Sequence, residues 1–226
     1  MNKEDFKQAI EHLKKTSQKR NFKQSIDLII NFRDLDLKKP EHQVELWVQL
    51  PHGKGRQTKI CAIVGQELLA QAKESCDIAI TKDDFPAYDK KVVKSLARKY
   101  DFFIAQMNLM GEVAKIFGRV LGPKGKMPNP KAGCVVPPNT NLKALVESLK
   151  KTVEVKAKAQ PSVKVIIGKE DFANEQILDN VMAVYDAVVK KLPNEEKNVK
   201  NVLLKLTMGK PFVVGLKAQA VKVENG

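Results

Sequence analysis

The run GRVLGPKGKMPNPKAG, residues 118–133, decides how the chain is divided. The 23 residues from Gly111 to Gly133 hold five glycines (Gly111, Gly118, Gly122, Gly125, Gly133) and three prolines (Pro123, Pro128, Pro130), with four lysines and Arg119 among them. Proline removes backbone donors and glycine adds chain entropy, so no helix or central strand is expected through this density. An ordered basic loop following a helix over 109–120 is expected instead. Its glycines and prolines suit a shape-holding role at a domain edge, against a hinge, better than a contact made through its lysines.

Upstream of that loop the pattern is strand then helix, three times. Residues 59–65 are a continuous apolar run of the buried parallel type, followed by a helix over Gln66–Ser75. A short strand at 77–81 precedes an amphipathic helix over 88–100, and a third strand at 101–106 precedes the 109–120 helix. Leu142–Lys151 adds one more helix. Repetition at this spacing predicts a parallel α/β layer with right-handed crossovers.

The two ends of the chain read differently. Residues 3–15 carry Phe6, Ala9, Ile10 and Leu13 at helical spacing behind Asn2, with a basic rim at Lys14, Lys15, Lys19 and Arg20. Ser25–Phe32 alternates, with Ile26, Leu28, Ile30 and Phe32 on one face and Ser25, Asp27 and Asn31 on the other. Val44, Leu46, Val48 and Leu50 alternate again, up to the turn PHGKGR at 51–56, where Lys54 and Arg56 beside two glycines suit either a phosphate-facing loop or a solvated turn. After Thr152 come short strands around Val153–Ala157 and Val163–Ile167, a long helix over 172–192, a strand over 199–207 and a last apolar strand or tail over 213–223. Neither end can bury a sheet alone. The expected fold is therefore a discontinuous α+β domain, 1–56 plus 152–226, interrupted by an α/β domain at 57–151.

Charge narrows the function. Forty Lys and Arg against 26 Asp and Glu leave +14, a field that favours a polyanion. Basic elements recur in the terminal domain: Arg20 before Phe22, Lys54 and Arg56, Lys164 and Lys169, Lys200 and Lys205. Aromatics are too sparse among them for a stacking platform, so shape recognition of structured RNA fits best. Catalytic signals are lacking. Val120 stands where a Walker-type loop needs its first glycine, and Met127 where it needs Ser or Thr. There is no dinucleotide fingerprint, no HExxH and no GxSxG. Cys61, Cys76 and Cys134 lack ligand spacing and read as buried apolar thiols in a reducing compartment. No cofactor, metal, signal peptide or membrane span is expected, and the chain reads as a cytoplasmic binding protein rather than an enzyme.

Together, GRVLGPKGKMPNP, LPHGKG at 50–55 and Thr207-Met208-Gly209 closely resemble the ribosomal L1 family of stalk proteins, in its archaeal-type form. The resemblance covers essentially the whole chain. It implies a split ferredoxin-like terminal domain and a three-layer, Rossmann-like inserted domain, joined by two chain crossings that act as a hinge. It implies binding of large-subunit rRNA at a mobile stalk near the tRNA exit site, in the cytoplasmic ribosome, with help in releasing deacylated tRNA. It further implies repression of translation through the protein's own mRNA, and a monomer when free. The family's contact residues correspond to Phe22, Ser25, Asp27, Thr207, Met208 and Gly209, with Lys54, Lys164, Lys169, Lys205 and Lys210 as expected phosphate partners. Its loop signature corresponds to Gly118, Arg119, Gly122, Pro123, Gly125, Met127, Pro128, Asn129 and Pro130. Two departures stand out: Lys210 separates the Thr-Met-Gly turn from Pro211, and Asp27 is shorter than the glutamate common in bacterial members. An RNA-processing factor or RNA chaperone acting off the ribosome is the alternative reading of the same features.

Overall fold

The structure, a computed structural model, describes residues 2–18 and 20–215. Lys19, and the expected 213–223 strand beyond Gly215, lie outside the described residues. The fold is mixed α/β, and the chain forms two compact units, Met1–Arg56 with Lys151–Gly226, and Gln57–Lys150.

The first unit begins with α1 (Lys3–Thr16), where Asn2 N–H donates to the Asp5 carboxylate at 3.2 Å. Glu4 and Asp5 lie at the positive end of its dipole and Lys14 and Lys15 at the negative end. Strands β1 (Ser25–Phe32) and β2 (Val44–Gln49) follow. After the second unit the chain returns as β7 (Thr152–Ala157), β8 (Ser162–Lys169), α6 (Asn174–Lys191), β9 (Val199–Leu206) and β10 (Phe212–Val213). The strands do not form one sheet. An antiparallel sheet runs β10-β9-β1-β8, and β2 pairs only with β7, Leu46 opposite Val155. Helices α1 and α6 share a core with the large sheet, Phe6, Ile10, Ile177, Val181 and Val184 lying fully buried with Ile26, Leu28 and Ile30. Phe6 and Tyr185 meet edge to face, ring centres 5.5 Å apart. Every second residue of β1 is buried, so this sheet has one covered face and one carrying Ser25, Asp27, Ile29 and Asn31.

The turn after β2 is shaped from within. Asn180 of α6 is fully buried; its amide donates to the carbonyls of Gly53 (2.9 Å) and Ile167 (2.7 Å) and accepts from His52 N–H (3.1 Å). His52 also meets Asp179 at 3.0 Å. Gly55 has φ +68°, and a Cβ there would stand 3.0 Å from the Phe172 ring. The glycines of this turn thus serve local packing.

The second unit is a fully parallel sheet, β4-β3-β5-β6, from β3 (Ile60–Ile63), β4 (Ile78–Ile80), β5 (Phe102–Gln106) and β6 (Val135–Val136). All four residues of β3 are buried, because helices cover both faces. α3 (Lys90–Lys99) and α4 (Met110–Leu121) pack on Cys61, Ile63, Phe103 and Ala105; α2 (Gln66–Ser75) and α5 (Leu142–Lys151) pack on Ile60, Ala62, Val64 and Ile104. The α4 helix runs through Gly118 to Leu121, close to the expected 109–120, because Phe117, Val120 and Leu121 are buried and anchor its last turn. One feature corrects the sequence expectation: the glycine-proline run contains a short 3-10 turn, Pro130–Ala132, and leads directly into a fourth strand, β6.

Asn180→Ala strands two buried carbonyls and leaves the His52 N–H without this partner, and the expected loss is about 2–4 kcal/mol. Urea unfolding followed by fluorescence of Trp47, the chain's one tryptophan and part of β2, checks this through a lowered midpoint.

Candidate nucleic-acid interface

The uncovered face of the large sheet is where the expected binding residues converge. Antiparallel register places Asp27 of β1 opposite Lys205 of β9, and Ile29 opposite Lys164 of β8. Asp27, Ile29, Lys164, Ile166 and Lys205 line a shallow depression of about 270 Å³. A carboxylate thus lies between two ammonium groups on an apolar floor. Burial pushes the Asp27 carboxyl above its ordinary range, and the Lys205 charge pulls it partly back. Further along the strand, Asn31 donates to Asn201 at 2.8 Å and closes that end of the polar face.

At the other end of β1 three segments are fastened by one residue that pattern analysis did not single out as a site residue. Gln24 is only 2% exposed. Its Oε1 accepts from Met208 N–H (3.1 Å), its Nε2 donates to the Gln18 carbonyl (3.4 Å), and its own carbonyl accepts from Glu170 N–H (3.0 Å). It therefore links the approach to β1, the loop after β8 and the turn after β9. A lone glutamine before a strand has no periodicity or motif to announce it; only the register of the folded sheet does.

Thr207 completes the turn. Its hydroxyl accepts from Ser25 N–H at 3.0 Å and lies 3.3 Å from the Ser25 carbonyl, to which it donates. This hydroxyl fastens β9 to β1. Gly209 N–H donates to Leu206 O at 2.9 Å, and a Cβ at Gly209 would press to 3.3 Å on Leu206, so a close turn requires the glycine. Held on this frame, Met208 is 62% and Phe22 50% exposed. Both are among the exposed large apolar side chains of the described residues.

The remaining expected residues are spread more widely. Lys169 sits opposite Ser25 in register, with its stem beside Gly55. Lys54 points to the Thr152 carbonyl at 3.5 Å and is not among the residues lining the Asp27 depression. Lys210 is exposed beyond the turn. Lys23 is held by Asp171 at 2.7 Å, so its charge is already partnered.

The 118–133 signature belongs to the other unit. Lys126 Nζ donates to the Tyr100 carbonyl at 2.6 Å, Met127 packs into the α3/α4 core, Pro128 is buried, and the Asn129 side chain accepts from Lys131 N–H at 2.9 Å. The Asn129 carbonyl also accepts from Cys134 N–H at 3.1 Å, leading the chain into β6. Arg119, Gly122, Pro123 and Gly125 are exposed. The stretch works as an edge wrap that delivers β6 to the sheet.

Comparison with known proteins converges on one group. A profile of the Ribosomal protein L1p/L10e family matches residues 13–210. The large ribosomal subunit protein uL1 of Methanothermococcus thermolithotrophicus is 40% identical over 213 residues, 93% of this chain and 98% of its own. The protein of the same name from Methanocaldococcus jannaschii is 38% identical over 224 residues, 98% of this chain and 100% of its own. That of Thermococcus kodakarensis is 40% identical over 220 residues, 96% and 95% of the two chains.

The Asp27 shift has a sign that can be checked. Its pKa is raised above the ordinary 3.8. The native state therefore holds its proton to higher pH than the unfolded chain, and stability falls as pH rises through the interval between the two values. Asp27→Asn is expected to raise the urea midpoint at pH 7, with the gain shrinking to nothing below the ordinary carboxylate range. Parallel urea titrations at pH 3 and pH 7 read this directly.

Proposed function

The chain belongs to the Ribosomal protein L1p/L10e family, and from that membership together with the open sheet face we propose that it is a structural constituent of the large ribosomal subunit that binds rRNA. In this reading residues 1–56 and 152–226 form the RNA-binding domain, and the bound site is a bulged helical element of the stalk near the tRNA exit. One observation carries the proposal: a charged depression built from Asp27, Lys164 and Lys205, edged by a fastened turn that leaves Phe22 and Met208 in solvent.

The chemistry follows from those groups. Lys164 and Lys205 attract phosphates and supply the salt-dependent part of affinity. Asp27 accepts only, so it suits a 2′-hydroxyl or an exocyclic amino group and disfavours a bare phosphate at the centre of the face. Phe22 and Met208 offer apolar surface to unstacked bases or sugars, which a bulge exposes and a regular duplex does not. Ser25, with its backbone tied to Thr207, lies between the two. Anchored there as a monomer, the protein would let the inserted domain act where deacylated tRNA leaves the cytoplasmic ribosome. The same face would repress translation by holding a look-alike site in its own mRNA.

Titration with an rRNA fragment bearing the stalk-base bulge, over a range of salt, tests this. Phe22→Ala and Met208→Ala are each expected to weaken binding by about 5- to 150-fold, the equivalent of losing one stacking contact of about 1–3 kcal/mol. The wild type should keep its preference for the bulged RNA as salt rises. Equal loss of all binding with salt, for every variant and any RNA, would overturn the site. The protein's own leader should compete for the same face and a scrambled leader should not.

A further inference from the structure

The α3 helix is built against the rules that stabilise a surface helix. Its sequence, KKVVKSLARK, contains five cations and no carboxylate. Lys90 and Lys91 occupy the first turn, where the helix dipole is positive and acidic side chains are favoured. Lys90, Lys94 and Arg98 are spaced i, i+4, i+8, so like charges stack along one ridge. Asp89 precedes the helix, but its side chain makes no capping hydrogen bond. Among the described residues none of Lys90, Lys91, Lys94 and Arg98 forms an ion pair, and Glu112 of the neighbouring α4 is taken by Lys82 at 2.6 Å. Lys115 and Arg119 of α4 are exposed on the same helical layer. The cations of the first turn and the like-charge spacing along the ridge disfavour the isolated helix, with Arg98 and Lys99 alone at the end the dipole favours.

We propose that the outward face of α3, centred on Lys91, Lys94 and Arg98, is a second RNA-binding surface that holds phosphate backbone without reading sequence. The ridge from Lys90 to Arg98 is about 12 Å long at 1.5 Å per residue, enough to lie along several successive phosphates. The face offers cations and no aromatic ring, so it contacts backbone and not base edges. A membrane surface does not fit, because the apolar residues of α3 that would enter lipid, Val93, Leu96 and Ala97, are buried in the unit's own core. An acidic protein fits poorly: a protein interface needs an apolar centre, and among the described residues α3 and α4 each expose a single large apolar side chain, Val92 and Ile116, with Met107 ahead of α4. The proposal stands on charge placement in unit Gln57–Lys150 and does not depend on the sheet-face site.

The test uses the full chain and a plain RNA duplex of arbitrary sequence without a bulge. Affinity is measured against salt concentration for the wild type and three variants. Lys91→Gln with Lys94→Gln and Arg98→Gln is expected to lower affinity at least tenfold near 0.1 M salt and to flatten the log–log salt slope by about 2 to 3. Lys73→Gln with Lys143→Gln and Lys150→Gln removes the same charge from α2 and α5, on the opposite face of the sheet, and should change the slope by about 1 or less. Phe22→Ala should lose the preference for bulged over plain RNA while the α3 variant keeps it, which separates failure at this surface from failure of the bulge-binding face. Equal losses for the two triple variants would show that only net charge matters and would overturn the proposal. An unchanged slope for the α3 variant would do the same. All six substituted residues are exposed, so matched thermal unfolding curves confirm that binding and not folding is read.

Discussion

Strand β1 is paired on both sides by chain that arrives after the whole second unit has been made: β8 along one edge and β9 along the other. The first unit's core cannot close until those strands return. Loop-closure entropy grows only with the logarithm of loop length, so a long insertion is thermodynamically tolerable if its ends are brought back together. Each unit ties its own ends. Leu50 N–H bonds Lys151 O at 3.0 Å in the first, and the Thr58 hydroxyl bonds Lys150 O at 3.3 Å in the second. Folding of the inserted unit on its own core then converts a long flexible loop into a short one.

The same pairing decides where a ligand can go. With α1 and α6 on one side of the sheet, every outward residue of β1 faces away from the core, and the register aligns Asp27 and Ile29 with lysines on the flanking strands. A one-residue slip would send Ile26, Leu28 and Ile30 outward and bury Asp27, so burial of the apolar set holds the binding face in register. Gln24 and Thr207 then fasten the exposed turn to this frame through backbone groups, which lets Met208 stay in solvent without the turn loosening.

Alternation and periodicity made most of this visible in the sequence. Ile26 to Phe32, Val163 to Ile167 and the buried run at 60–63 announced their strands and faces because burial imposes period two or continuous apolarity. Pairing partners were not visible. Alternation in β2 and β7 says which side is buried but not which strand lies alongside, so their separation as a two-stranded sheet appeared only in the fold. The two-residue β6 is too short for any period to show. Gly118 stands inside the expected helix although glycine weakens one, because the buried neighbours Phe117 and Leu121 hold the helix through it. Thr207 is marked in the sequence by the turn it opens, but the direction of its hydroxyl depends on the Ser25 backbone, which no sequence pattern encodes.

What distinguishes the candidate surfaces from the rest of the exterior is local disagreement with the rules of stability. A half-buried carboxylate at Asp27, two large apolar side chains in water at Phe22 and Met208, and an unpaired cationic ridge on α3 each leave the free protein worse off than an obvious substitution would. Elsewhere the chain obeys those rules. Asn180 is fully satisfied, and α1 carries its acidic and basic residues at the matching ends of its dipole. A fold this consistent elsewhere has no internal reason to keep such exceptions.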